Sequence, residues 1–278
     1  MRVFVLVDME GIAGIVSGEE CQPGHAEYAR SRLLMTNEAN AVIAGIYDAA
    51  PDAEVTVADA HGPFRNMPPE QLDTRVRLLR GKPALLGMVD GLDDSYDLAM
   101  FIGMHGKAGT VNSALCHTFT GGLYDVRING QSYGELGLNA AVAGAYGVPV
   151  ALVAGDQAVA QEAHELLGDF VTAVIVKESR SVARAETLHP TVACEQLRQA
   201  AQQVVSEAAE GRLKVAPLRV AEPVTVEVAL AQIAVADYAM LIEGIERMDG
   251  RTVRSERADM FAAYRFVRLL VLLCSVQG

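Results

Sequence analysis

The chain is expected to fold as an α/β protein, with a largely parallel sheet flanked by helices and a smaller α+β subdomain at its carboxyl end. Apolar, β-branched runs without polar interruption recur along the first two thirds of the sequence, the habit of strands buried on both faces of a parallel sheet. Stretches rich in Ala, Leu and Glu with helical spacing separate them, so strand and helix alternate. Near residue 190 the composition shifts, which divides the chain into residues 1–190, the α/β domain, and 191–278, the α+β subdomain, without a clear linker.

The first run, residues 3–7, ends at Asp8-Met9-Glu10-Gly11. Further strands are expected over residues 54–58, 98–102, 148–153 and 171–176. Residues 30–49, 136–146 and 157–167 carry the apolar periodicity of helices that would cover the sheet's two faces. Beyond them come a long Ala/Gln/Glu helix at 191–210, a strand at 224–229 that follows Pro223, a hairpin near 248–253 and a carboxyl-terminal helix.

With 278 residues, 51% of them hydrophobic, the chain can bury a large core, and disorder is excluded. A formal charge of −12 argues against nucleic acid, whose partners bring Lys and Arg to the phosphates. Cys21, Cys116, Cys194 and Cys274 are scattered, without the paired spacing of zinc knuckles or redox motifs, and read as reduced cysteines of a cytosolic protein. The amino terminus enters a strand pattern directly, with no signal-peptide features, so a cytoplasmic location is expected. The most hydrophobic helical stretch, residues 266–276, contains Arg268 and falls short of the ~20 apolar residues of a membrane span. It is expected to be a buried core or interface helix, and no membrane partner is foreseen.

Ligands of parallel sheets gather past the carboxyl ends of the strands. Asp8 and Glu10 stand at that edge, His61 follows the strand ending in Val57-Ala58-Asp59-Ala60, and His105 follows Phe101-Ile102-Gly103-Met104. Alone, Asp8 also suits a turn cap and Glu10 a solvated loop. Three strands delivering carboxylate and imidazole to one rim point instead to a metal site. Glu135, in Gly134-Glu135-Leu136-Gly137, stands at a helix start, where charge complementarity would also favour it, and becomes a fifth candidate ligand in that company. Oxygen and imidazole donors without thiolate suit zinc first, with manganese, cobalt and iron as alternatives, and five ligands exceed what one catalytic zinc uses. In a two-metal site with ions about 3.5–4 Å apart, Asp8 would bridge, Glu10 and His61 would complete one shell, and His105 and Glu135 the other. His117 lies near these ligands in sequence, after a glycine-bearing stretch at 106–113, and is read either as an acid, base or nucleophile or as an ordinary satisfied histidine. A Cys116/His117 dyad is disfavoured because neighbours in an extended segment point apart. His25, His164 and His189 are read as surface residues.

The motifs Val7-Asp8-Met9-Glu10-Gly11-Ile12, Ala58-Asp59-Ala60-His61, Gly103-Met104-His105 and Gly134-Glu135-Leu136-Gly137-Leu138-Asn139 resemble those of the DppA-type zinc-dependent D-aminopeptidases. The resemblance extends to the segment from Arg32 to Asn40, to Val89-Asp90-Gly91-Leu92-Asp93-Asp94, to Ala154-Gly155-Asp156 and to Ser179-Arg180-Ser181, and is weaker after residue 185. It implies dizinc ligation by Asp8, Glu10, His61, His105 and Glu135, a catalytic role for His117, and a self-compartmentalised homodecameric ring admitting short peptides. The expected activity is removal of an amino-terminal residue, of the D-Ala type, with Asp156 or an open metal position receiving the substrate amine. The rivals are a metallopeptidase or amidase of the same fold acting on L-peptides or other small amides, a dinuclear phosphoesterase, and a non-catalytic metal-binding scaffold. The absence of basic residues from the motifs counts against the phosphoesterase.

Overall fold

The computed structural model describes residues 1–275. Its first strand, β1 (Arg2–Val7), has alternating residues committed to opposite faces, as a period of two requires. Val3, Val5 and Val7 enter one apolar core, while Phe4 and Leu6 enter another. A strand buried on both sides must be central, and β1 pairs in parallel with β2 (Glu54–Asp59) on one flank. Beyond β2 lies the short edge strand β3 (Arg77–Leu79). On the other flank of β1 stands β4 (Leu98–Met104), every residue of which is buried.

The chain then leaves this sheet to form β5 (Leu123–Ile128) and β6 (Gln131–Ser132) of a second one. It returns through helix α2 (Glu135–Ala145) into β7 (Val150–Asp156), α3 (Gln157–Leu167) and the hairpin β8 (Thr172–Ser181) with β9 (Arg184–Thr187). Helix α1 spans Tyr28–Ala49. The first sheet therefore runs β3-β2-β1-β4-β7-β8-β9, parallel except for β9. Its order reverses between β1 and β4, the crevice where open parallel sheets receive ligands.

Helix α1 and α4 (Pro190–Ala209) cover the face that holds Val3, Val5 and Val7. On the opposite face lie α2, α3 and the second, wholly antiparallel sheet, ordered β11 (Glu246–Arg247), β12 (Thr252–Arg257), β10 (Val224–Leu230), β5 and β6. Its central strand β10 buries Val224, Val226, Val228 and Leu230, the clean alternation of a sheet packed on one side. Strands β11 and β12 form the expected hairpin, and helices α5 (Ile233–Ala239) and α6 (Met260–Ser275) complete the layer. Each large side chain sunk here, such as Tyr264 or Phe4, contributes about 1.5–3 kcal/mol through burial.

The predicted strands and helices are present, and the mixed α/β architecture with an additional antiparallel sheet is as expected. Both layers draw on residues from either side of residue 190, since β5 and β6 join the second sheet while α4 packs on α1. Val276, in the apolar carboxyl-terminal stretch, lies outside the described residues; up to Ser275 that stretch is core helix, burying Phe266, Val267 and Leu270. No described helix is long and apolar enough to cross a membrane.

Candidate metal centre

Two glycines bring the loops after β1 and β4 close enough to share a site. A Cβ on Gly11 would lie 1.9 Å from the Met104 carbonyl oxygen, and one on Gly103 would lie 2.1 Å from that of Asp8. Gly103 also has a φ of +70°, which side-chain-bearing residues adopt only at a cost. With those side chains absent, the strand ladder continues into the loops, Asp8 N–H donating to the Ile102 carbonyl at 2.8 Å and Gly11 N–H to the Gly103 carbonyl at 2.8 Å.

Asp8, Glu10, His61, His105 and Glu135 thereby converge, each between 2% and 8% exposed. His61 Nδ1 lies 2.8 Å from Glu10 Oε2 and 3.4 Å from Asp8 Oδ1. His105 Nε2 lies 3.6 Å from Asp8 Oδ2 and 3.5 Å from Glu135 Oε1. His117 stacks on His105 with ring centroids 4.4 Å apart, and its Nε2 stands 3.5 Å from Glu135 Oε1 and 4.0 Å from Glu10 Oε1. Its side chain keeps 28% of its surface open, against 10% for His61 and 1% for His105, so it is the most accessible of the three rings. Leu115 and Phe119, on either side of it, both have φ of 59°, left-handed conformations that non-glycine residues hold only where the fold enforces them.

The remaining ring nitrogens are anchored on backbone carbonyls. His61 Nε2–H donates to Cys21 at 2.9 Å, His105 Nδ1–H to Gly106 at 3.0 Å and His117 Nδ1–H to Leu115 at 2.8 Å. Each ring thus turns its other nitrogen to the carboxylates, the arrangement that second-sphere contacts impose on metal-binding histidines.

Three buried carboxylates this close repel. Burial, then the Glu10 charge, pushes Asp8 up to about 8. Burial works against charge on Glu10 as well, but His61 outweighs it and holds Glu10 well below the usual carboxylate range. Glu10 in turn overcomes burial at His61 and raises it well above an ordinary imidazole. At His105 burial is overcome by Glu135, which lifts the ring to about 10. Protons therefore supply the positive charge that this set of donors demands. His105 Nε2 is nevertheless buried without a hydrogen-bond partner, and a cation would satisfy it. The ligand atoms of Asp8, Glu10 and His61 lie within 4.8 Å of one another, as do those of Asp8, His105 and Glu135, and those of Glu10, His105 and His117. The residues present fit a metal.

Several residues around the site carry no local sign of their role. Buried Lys177 on β8 donates from Nζ to the Glu10, Ile12 and Ile15 carbonyls and so grips the loop after β1 from beneath. A lysine closing an apolar run is the same kind of signal that singled out Asp8, and could have been read. Glu38 of α1 accepts from Ala13 N–H at 2.8 Å in that same loop. Asp59 accepts from the backbone N–H groups of Asn66 at 2.5 Å and Met67 at 2.8 Å, while Asn66 Nδ2 donates to the His61 carbonyl at 2.7 Å.

Asp156 does not serve as the expected amine receptor. It is fully buried, capping α3 through Val159 N–H at 3.0 Å and accepting the Ser113 and Ser179 hydroxyls at 2.8 Å each. Ser113 Oγ in turn accepts from Gly106 N–H at 3.1 Å, so Asp156 stabilises the loop between His105 and His117. Cys116 Sγ approaches the Thr110 carbonyl at 3.5 Å rather than His117, and His25, His164 and His189 are exposed, as expected.

A pocket of about 110 Å³ opens over the site, lined by Asp8, Glu10, His61, His117 and Glu135. Phe64, Lys82, Met88, Phe119 and Arg268 also line it. The motifs contain no basic residue, yet the fold supplies two from segments remote in sequence.

A model of the peptidase M55 family, described as D-aminopeptidase, matches residues 1–269, well past the point at which the motifs thin out. A D-aminopeptidase of Bacillus subtilis (strain 168) is 35% identical over 274 residues, covering 98% of this chain and 97% of its own. The solved structure of the Zn-dependent D-aminopeptidase DppA from Bacillus subtilis, described as a self-compartmentalizing protease, superposes with a TM-score of 0.91 at 34% identity, over 99% of this chain and 98% of that one. Family match, full-length identity and shared fold agree: the chain belongs to the peptidase M55 family of D-aminopeptidases.

Proposed function

We propose that this protein is a zinc-dependent aminopeptidase that removes an amino-terminal D-residue, of the D-Ala type, from short peptides. The observation that carries the reading is the pair of three-residue clusters sharing Asp8, set beside His117 in one small pocket. Asp8, Glu10 and His61 would hold one ion and Asp8, His105 and Glu135 the second. The chemistry such ions supply when bound is Lewis-acid polarisation of a carbonyl and acidification of water.

The chain's own residues do the rest. The Leu115 carbonyl holds the proton on His117 Nδ1, which leaves Nε2 free to take a proton on the pocket side and return it to the departing amine. Stacking on His105 and the strained backbone at Leu115 and Phe119 keep that ring over the site. Glu135 accepts Phe119 N–H at 2.7 Å, coupling the ligand to the pocket wall. Burial excludes bulk water and strengthens each of these interactions.

The D preference is supported by the family and by the named relative. A homo-oligomeric ring, decameric in its closed form, is proposed on the likeness to a self-compartmentalizing protease, and a cytoplasmic location on the four free cysteines.

The test combines elemental analysis with turnover. Wild type should carry close to two equivalents of zinc and cleave D-Ala-D-Ala faster than L-Ala-L-Ala. Asp8→Ala should lose most of the metal, and His117→Ala should keep it while losing at least about 100-fold in kcat. Absence of metal after incubation with zinc, or preference for the L-peptide, would overturn the corresponding part of the reading.

A further inference from the structure

We infer that Lys82 and Arg268 form the seat for the free carboxylate of the substrate, so that the protein selects short peptides with an unblocked carboxyl end. This deepens the aminopeptidase reading and rests on it.

The two cations come from distant parts of the chain, Lys82 from the loop after β3 and Arg268 from α6, and meet on the pocket that the metal-site residues line. Lys82 Nζ lies 4.6 Å from the centroid of the Phe64 ring, and the Arg268 guanidinium 5.3 Å from that of Phe119. Both rings line the same pocket, which fixes the charges on it. Arg268 Nε is buried without a hydrogen-bond partner, a donor aimed at nothing the described chain provides. The chain has 35 acidic residues, yet among the described residues none forms an ion pair with either cation. Burial, and then the neighbouring Arg268 charge, holds the Lys82 ammonium below its usual range. Like charges gathered at a small cavity are relieved by an anion.

The rest of the ligand follows from the other residues of the same pocket. Asp8, Glu10 and Glu135 line it too, so a zwitterion suits it, its amine and scissile carbonyl at the metal-site residues and its carboxylate between Lys82 and Arg268. Both groups line one pocket, so the two charged ends of the ligand must lie within it together, hence the restriction to short peptides. A carboxylate clamped by a guanidinium and an ammonium is a charge-assisted contact, and blocking it should cost about 10- to 100-fold.

The experiment is steady-state kinetics of the zinc-loaded protein on D-Ala-D-Ala and on its carboxamide, repeated with Lys82→Met, Arg268→Met and Arg268→Lys. Unaltered protein should prefer the free acid by about 10- to 100-fold in kcat/KM, mainly through KM. In the two methionine variants the ratio should fall towards one, and Arg268→Lys should restore part of it. Equal rates on acid and amide in the unaltered protein would overturn the inference while leaving the aminopeptidase reading intact, and that comparison does not depend on any variant folding. A preference that persists in folded, zinc-loaded variants would likewise overturn it. Failure to cleave either peptide, with turnover of a phosphate ester instead, would overturn both.

Discussion

At Asp8, burial and the charge of Glu10 both favour the proton, whereas at His61 and His105 the neighbouring carboxylates favour it. The consequence for stability has one sign above neutrality. Asp8 is raised from 3.8 to about 8, so what its protonation contributes is complete below the unfolded value and lost as pH climbs to about 8. His105, raised from 6.5 to about 10, and His61, raised likewise, contribute fully below 6.5 and lose that contribution as pH rises through their folded values. Glu10 and Glu135 are depressed, so their contribution is already complete above 4.5 and stays constant in this window. Chelator-treated protein should therefore melt at progressively lower temperature between pH 6.5 and 8, and added zinc should abolish the trend by replacing the protons. Scanning calorimetry with and without zinc reads both; a metal-free melting temperature that rises over that interval would contradict the electrostatic account.

Elements determine whether those residues meet at all. The carboxyl ends of β1, β2 and β4 lie side by side because Val7 pairs with both Asp59 and Ile102, and the two loops can cross only through Gly11 and Gly103. Gly103→Ala would set a methyl against the Asp8 carbonyl oxygen in a backbone conformation that already disfavours it. It should destabilise the protein by more than about 1 kcal/mol and reduce bound metal, as chemical denaturation and elemental analysis would measure; wild-type stability with full metal would dismiss the close approach as unimportant. The central strands are legible because each is a local apolar run, and the apolar periodicity over residues 157–167 matches the bounds of α3. Strands β3, β5, β6 and β9 and helix α5 carry no local signal for a common reason. They are short or polar, and what stabilises them is a distant partner, as when Asp125 of β5 pairs with Ala229 of β10.

At the scale of the whole molecule, the surface around α5 stands out. Leu241 is 83% exposed, and Ile233, Tyr238, Met240 and Met248 are exposed with it, as are Leu269 and Leu272 of α6. Apolar side chains in such number on an acidic protein suit contact with further copies of the chain. Light scattering should give a native mass that is a multiple of 29.6 kDa, and Leu241→Glu should shift it towards smaller species. A monomeric wild type would remove the proposed ring, and with it any size filter beyond the pocket itself.

By itself the sequence determined the parallel sheet, its central strands and the four donors Asp8, Glu10, His61 and His105 at its carboxyl edge, because hydrophobic runs and the residues that follow them are local features, and it offered Glu135 at a helix start. It also carried His117, through proximity along the chain to His105. Only the tertiary structure decided that Glu10 faces His61 while Glu135 faces His105 and His117, that Asp156 caps a helix rather than meeting substrate, and that Lys177 grips the first loop. The meeting of Lys82 and Arg268 on one pocket is likewise invisible in the chain. These depend on strand order and on packing between segments up to 186 residues apart, the separation of Lys82 from Arg268, and no local pattern encodes which remote side chains will share a cavity.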